Sequence, residues 1–261
     1  MKKILITGAN SYIGTSFEKY IYENYRDEYQ IDTLDMMDPN WKEYDFSGYD
    51  SIFHVAGIAH ADVGNVSKET EKLYYRVNCD LTYETALKAK KCKVKQFIYM
   101  SSIIVYGESA PYGKTKIITK DTKPEPANFY GDSKLQAEIK LSPLQDDNFN
   151  LVIIRPPMIY GKGSKGNYPM LSKLAKKLPV FPKINNQRSM LYVENLCEFV
   201  RLVISNNNQG IYYPQNSEYA STTAIVKTVN PKIKISGILN PGVFISSKVP
   251  GKISGLCNKA F

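Results

Sequence analysis

Between residues 4 and 155 the chain keeps exchanging one hydrophobic period for another. Short apolar runs suited to buried strands (4–7, 29–34, 50–56, 96–100 and 151–155) alternate with stretches spaced for amphipathic helices (13–24, 68–91 and 130–141). The longest of these helical stretches places Leu73, Val77, Leu81 and Leu87 on one face. Alternation of this kind predicts an α/β fold in which a parallel sheet is covered on both faces. With 261 residues, 43% of them apolar, the chain can bury such a core as one large domain or as two unequal lobes. After Pro157 the texture changes. A glycine-rich turn at 161–166 precedes a short basic helix at 170–178, a strand at 180–182 and a helix at 193–205. The tail from Gln215 is rich in Asn, Pro, Ser and Gly. The expected division is therefore residues 1–155, completed by parts of 187–213, and a smaller lobe over 156–261.

Several classes are excluded early. The apolar run after Met1-Lys2-Lys3 is too short for a signal-peptide core, and no stretch has membrane-spanning length, so membrane insertion is not expected and a cytoplasmic protein is. Cys79, Cys92, Cys197 and Cys257 are scattered without a CxxC pair, which argues against a metal site or disulfides. The net charge of +9 is unevenly placed: residues 156–261 carry 14 Lys/Arg against Glu194, Glu198 and Glu218, whereas residues 1–155 are close to neutral. A basic second half suits an anionic ligand such as a nucleotide diphosphate. Nucleic acid is not expected, because no basic run is interleaved with aromatics.

The first strand runs into Thr7-Gly8-Ala9-Asn10-Ser11-Tyr12-Ile13-Gly14. A strand entering a glycine turn and then a helix aims backbone N–H groups and the helix dipole at a phosphate. Gly8 permits the tight turn and Gly14 close helix–sheet packing, while Ser11 replaces the usual middle glycine. Gly8, Asn10, Ser11, Tyr12, Ile13 and Gly14 are thus candidate dinucleotide contacts. Asp35, at the end of the second strand, suits the adenosine ribose and would repel a 2′-phosphate, favouring NAD over NADP. Asp45 and Phe46, before the third strand, are placed to flank adenine.

Tyr130 and Lys134 stand four apart at the start of an apolar-periodic helix, and Ser102 lies upstream in Met100-Ser101-Ser102. A lysine one turn away shares the tyrosine's face and would stabilise tyrosinate, lowering a pKa ordinarily near 10. Ser102 would hydrogen-bond the same substrate oxygen. Tyr112 and Lys116 match the spacing too, but in a loop sequence with no helix to align them.

With these segments the chain resembles the extended short-chain dehydrogenase/reductases, the family of nucleotide-sugar epimerases and dehydratases. The resemblance runs from Lys3 to about residue 225. It takes in Phe53-His54-Val55-Ala56-Gly57, Val77-Asn78, Ser102 four residues before Tyr106, Tyr130-Gly131-Asp132-Ser133-Lys134 and Arg155-Pro156-Pro157-Met158-Ile159-Tyr160-Gly161. It implies a Rossmann-type doubly wound sheet with a C-terminal substrate lobe, and further cofactor contacts at Ala56, Gly57, Asn78 and Pro157. His54 is expected to be structural. The resemblance further implies that Arg188 grips the diphosphate of a sugar nucleotide and that Asn167 contacts the nucleotide. It also implies a homodimer packed through 68–91 and 130–141. The chain stops earlier, at Asn258–Phe261, than the resemblance leads one to expect, implying a minimal lobe or a shortened chain.

Dehydratases of the family place Asp-Glu directly after the catalytic hydroxyl residue; here those positions are Ile103 and Ile104. Epimerisation at C4 of a UDP-hexose with NAD is therefore expected. A 4-ketoreductase using NAD(P)H is the second reading, and a non-catalytic NAD(P)-binding sensor a third of another class.

Overall fold

The computed structural model describes residues 1–59, 66–111, 113–164 and 167–242; the Tyr112 alternative, Cys257 and the C-terminal residues lie outside them. In chain order the elements are β1 (Lys2–Thr7), α1 (Tyr12–Tyr25), β2 (Tyr29–Leu34), β3 (Ser51–His54), α2 (Lys68–Tyr75), α3 (Leu81–Lys91), β4 (Gln96–Met100), α4 (Phe129–Leu141) and β5 (Asn150–Ile154). They are followed by β6 (Met158–Tyr160), α5 (Asn167–Lys177), β7 (Val180–Pro182), β8 (Met190–Tyr192), α6 (Val193–Ser205), β9 (Gly210–Tyr212), α7 (Thr222–Val229) and β10 (Lys234–Ser236). Two compact units emerge among the described residues: those of 1–107, 123–157 and 191–214 form the first, and those of 108–122, 158–190 and 215–242 the second.

The first unit is built on a six-stranded sheet in the order β2-β1-β3-β4-β5-β9, with every pairing parallel. β3, β4 and β5 are almost wholly buried and read as continuous apolar runs, as strands covered on both faces must. Alternate residues point to opposite faces. Leu5, Ile52, Phe97, Tyr99, Leu151 and Ile153 join a core with Trp41, Phe46, Ala86, Ala89, Ala137 and Leu141. On the opposite face Phe53 meets Phe17 of α1 edge-on, with ring centroids 5.2 Å apart, and α1 packs on α6. The chain leaves β1 first toward β2 and then toward β3, so the winding reverses at the carboxyl ends of β1 and β3. Ligands of doubly wound sheets bind in the crevice at such a reversal.

The predicted helix over 68–91 is interrupted. Residues Arg76–Asp80 form a π-turn, closed by Leu81 N–H donating to Arg76 O, between α2 and α3. Such bulges recur at functional positions, and this one carries Asn78.

In the second unit β7 and β10 pair in parallel, and α5 and α7 pack on each other. Its core is Leu171, Ala175, Phe181, Ile184, Val226 and Ile233. The sequence pattern does not announce β6, β8, β9, β10 or α7; the four strands have three residues each, too few to display a period.

Candidate active site

The turn after β1 sits at the winding reversal. Gly8 has φ +119°, and a Cβ there would lie 2.6 Å from the Ala56 backbone nitrogen, so only glycine lets the turn meet the end of β3. Ala56 N–H in turn donates to Thr7 O (2.9 Å). Asn10 takes the left-handed conformation, φ +61°. Ser11 caps α1, its Oγ accepting from Gly14 N–H at 3.1 Å. A Cβ on Gly14 would come within 2.7 Å of that Oγ and 3.1 Å of Ile6, which accounts for both residues together. The first-turn amides of Tyr12 and Ile13 have no intrahelical acceptor, and no acidic side chain stands in the first turn to neutralise the helix dipole. The Tyr12 hydroxyl is buried and meets no hydrogen-bond partner among the described residues, and burial pushes its pKa up. Free amides and an uncompensated dipole fit the pyrophosphate of a dinucleotide.

Not every expected contact is presented in the same way. Asp35 lies exposed just past β2, with Oδ1 accepting from Met37 N–H at 2.9 Å. Asp45 closes on Ser47, taking its N–H and hydroxyl at 2.8 and 2.7 Å, bonds that hold its carboxyl below the usual range. The Phe46 ring is fully buried in the core beside Tyr44 rather than offered to an adenine. Asn78 is also fully buried. Its amide donates to Ile58 O (3.1 Å) and Ser133 Oγ (3.0 Å) and accepts from Ile58 N–H (2.8 Å). It braces the loop after β3 against α4. His54 is structural in character. Held by Thr7 (2.7 Å) and Thr82 (3.0 Å), it is driven by burial to a pKa of about 3 and stays neutral.

The trio assembles within the first unit. Ser102 follows β4 and caps a 3₁₀ turn, Ile103–Tyr106, accepting from Ile104 N–H at 3.3 Å. Asn128 caps α4 through Gly131 N–H (3.0 Å) and thereby starts the helix that carries Tyr130 and Lys134 one turn apart. Burial raises the Tyr130 pKa; the Ser102 side chain, in hydrogen-bonding proximity, draws it back down. The Tyr74 ring stands edge-on to Tyr130, 6.1 Å between centroids. Lys134 Nζ donates to Met100 O (3.0 Å) and lies over the Tyr99 ring (4.9 Å). Burial lowers its pKa to about 8, with Glu138 opposing. Ser102 thus draws the phenol pKa down, and Lys134, one turn along α4, is anchored by a main-chain carbonyl. A Cβ on Gly57 would lie 3.0 Å from both Lys134 Nζ and Asn78 Oδ1, so the loop after β3 runs directly over the lysine.

The periodicity conceals one part of this site. Glu138 and Arg155 form a buried ion pair, Arg155 Nε meeting both carboxylate oxygens at 3.1 Å and Nη2 closing on Oε2. Ser101 Oγ also donates to Glu138. Arg155 Nη1 donates to the hydroxyls of Tyr106 (2.6 Å) and Tyr213 (3.2 Å). The available signal was a charged residue on the apolar face of a predicted helix and another at the end of a fully apolar strand. Pro157 follows this arginine, and Ile103 N–H donates to Pro156 O (3.0 Å).

Arg188 and Asn167 belong to the second unit. Arg188 is half-buried, its pKa lowered by desolvation, and its backbone bridges Ala220 in both directions (2.9 and 3.0 Å). Asn167 opens α5; its side chain is outside the described residues. No group of His, Cys, Asp and Glu among the described residues could hold a metal, and no described helix is long and apolar enough to cross a membrane.

Residues 4–213 match the family model described as the NAD dependent epimerase/dehydratase family. A UDP-glucose 4-epimerase of Vibrio cholerae is 32% identical over 246 residues, covering 87% of this chain and 74% of the relative. An N-acetyl-α-D-glucosaminyl-diphospho-ditrans,octacis-undecaprenol 4-epimerase of Escherichia coli O157:H7 is 30% identical, covering 79% of this chain and 64% of that one. Among solved structures, a dTDP-4-dehydrorhamnose reductase of Clostridium acetobutylicum superposes with a TM-score of 0.72 at 20% identity, over 90% of this chain and 82% of its own; this likeness is one of fold.

Proposed function

The chain belongs to the NAD-dependent epimerase/dehydratase family of enzymes, and from that premise we propose that it inverts C4 of a UDP-hexose through a transient 4-keto sugar. The Tyr130 oxygen takes the proton of the C4 hydroxyl. Ser102 donates to the same oxygen and steadies the charge that builds on it. Bound NAD would supply the hydride acceptor and, through its cationic ring, further depression of the phenol pKa. Gly8, Ser11, Tyr12 and Ile13 would hold its pyrophosphate and Asp35 its adenosine ribose, with Lys134 and the Gly57 loop completing the cofactor side of the site. After the keto sugar turns, Tyr130 returns the proton as hydride comes back to the other face.

The observation that carries this reading is the Ser102–Tyr130 pair followed by Ile103 and Ile104. Two aliphatic side chains cannot shuttle the protons that elimination of water requires, so 4,6-dehydration is disfavoured. The basic second unit, with Arg188 and Asn167, would take the nucleotide diphosphate. The reading extends to a cytoplasmic protein and to a homodimer packed through 68–91 and 130–141.

Incubation with UDP-galactose, UDP-glucose and their N-acetyl forms, followed by NMR of the C4 proton, tests it: inversion is expected for at least one pair. No turnover of any, together with NAD(P)H consumption on a nucleotide-linked 4-keto sugar, would replace it with the reductase reading.

A further inference from the structure

Helix α4 meets the corner after β4 at three successive levels. Gly131 lies so close over Ile104 that a Cβ would sit 2.8 Å from its carbonyl oxygen. One turn on, Lys134 Nζ donates to Met100 O at 3.0 Å. One turn further, the buried Glu138 carboxylate accepts from Ser101 Oγ. Positions 131, 134 and 138 follow the spacing of a single helix face.

The corner itself is fixed to the sheet. Ser101 N–H donates to Ile154 O (2.9 Å) and Ile103 N–H to Pro156 O (3.0 Å). Arg155, between those two acceptors in the chain, grips both oxygens of Glu138 and is gripped in turn by the hydroxyls of Tyr106 and Tyr213. One carboxylate therefore joins the helix bearing Tyr130 and Lys134 to the residue beside Ser102 and to the end of β5.

A buried ion pair contributes little net stability compared with well-packed apolar groups. Its bonds are directional, however, and a bidentate arginine pair defines a register that dispersion contacts leave loose. We propose that Glu138 is a positioning residue: it sets the height of α4 against the Met100–Ile104 corner, so that the Ser102 and Tyr130 hydroxyls converge on one substrate oxygen. Ser101 and Arg155 are its two fixed points. The turnover half of the test below rests on the C4 reading; the spectroscopic half does not.

Ser101→Ala cuts the tie to the corner and leaves the ion pair. Glu138→Gln keeps the shape and removes the charge. For each, kcat, KM, NAD affinity and Tm are measured, and tyrosines carrying ¹³C at Cζ are titrated by NMR, with Tyr130 assigned by its loss in Tyr130→Phe. In Ser101→Ala kcat is expected to fall about tenfold or more, with KM and NAD affinity within about twofold and the Tyr130 titration displaced to higher pH as Ser102 drifts from the phenol. Glu138→Gln should move both readouts further in the same direction; if it does not fold, Ser101→Ala carries the test alone. An unmoved Tyr130 titration with wild-type kcat, or a loss of kcat merely proportional to lost NAD binding and Tm, would overturn the proposal. Should the wild type turn over no nucleotide sugar, the functional reading fails while the titration still decides this one.

Discussion

Burial by itself raises the Tyr130 pKa, and the proposed chemistry rests on its hydroxyl. Removing the hydroxyl should therefore abolish chemistry without disturbing the fold. Tyr130→Phe is expected to lower turnover by roughly a thousandfold while NAD still binds, checked by the NMR assay beside isothermal titration. Lys134 makes a second, pH-dependent statement. Its folded pKa of about 8 lies below the ordinary value of 10.5, so the unfolded chain binds the extra proton between those limits. Stability from this group hence rises with pH from 8 to 10.5 and is lost as pH falls through 8. Lys134→Met should flatten that rise in thermal melts of the apoprotein at pH 7, 9 and 10. A wild-type curve already flat there would contradict the assigned burial. At Gly8 the argument is steric. An alanine would combine φ +119° with a 2.6 Å approach to Ala56 N, and Gly8→Ala should cost about 3 kcal/mol in urea unfolding.

At the scale of elements, α4 is the piece on which the site depends. One of its buried faces is given to Gly131, Lys134 and Glu138 rather than to apolar side chains. Spacing in the sequence reveals the helix and the Tyr130–Lys134 face, but not the depth at which Glu138 is held; that depends on Arg155, which arrives from a strand end 17 residues later. The start of α4 is legible more locally. Asn128→Ala removes the cap on Gly131 N–H and should lower stability by about 1 kcal/mol, with turnover falling more than the melt would suggest because Tyr130 lies in the frayed turn. Equal losses in a control such as Ser221→Ala, which uncaps α7, would show that only global stability was touched. The π-turn at Asn78 is a contrary case. Periodicity across 68–91 reads as unbroken, since a π-turn widens one turn while α2 and α3 continue as helix on either side of it.

For the molecule as a whole, the uneven charge is the property with a functional consequence. Fourteen basic residues against three acidic ones in residues 156–261 create a field favourable to a doubly charged diphosphate. Raising ionic strength from low to physiological salt should increase KM for the nucleotide sugar several-fold and leave kcat nearly unchanged; steady-state kinetics across a salt series would register it. A kcat that fell in parallel would locate the salt effect in the fold instead.

The primary structure alone determined the parallel sheet covered on both faces, the glycine turn and the placing of Tyr130 and Lys134 on one helix face. Those features are written in local periods and short spacings, and local geometry converts them directly into faces and turns. Tertiary structure decided the rest: that Phe46 faces the core, that Asn78 braces a loop, that Lys134 is tied to the Met100 carbonyl, and that Glu138 joins Arg155. Each of these depends on burial and on partners distant in the chain, and desolvation and direction exist only once the strands have brought those partners together.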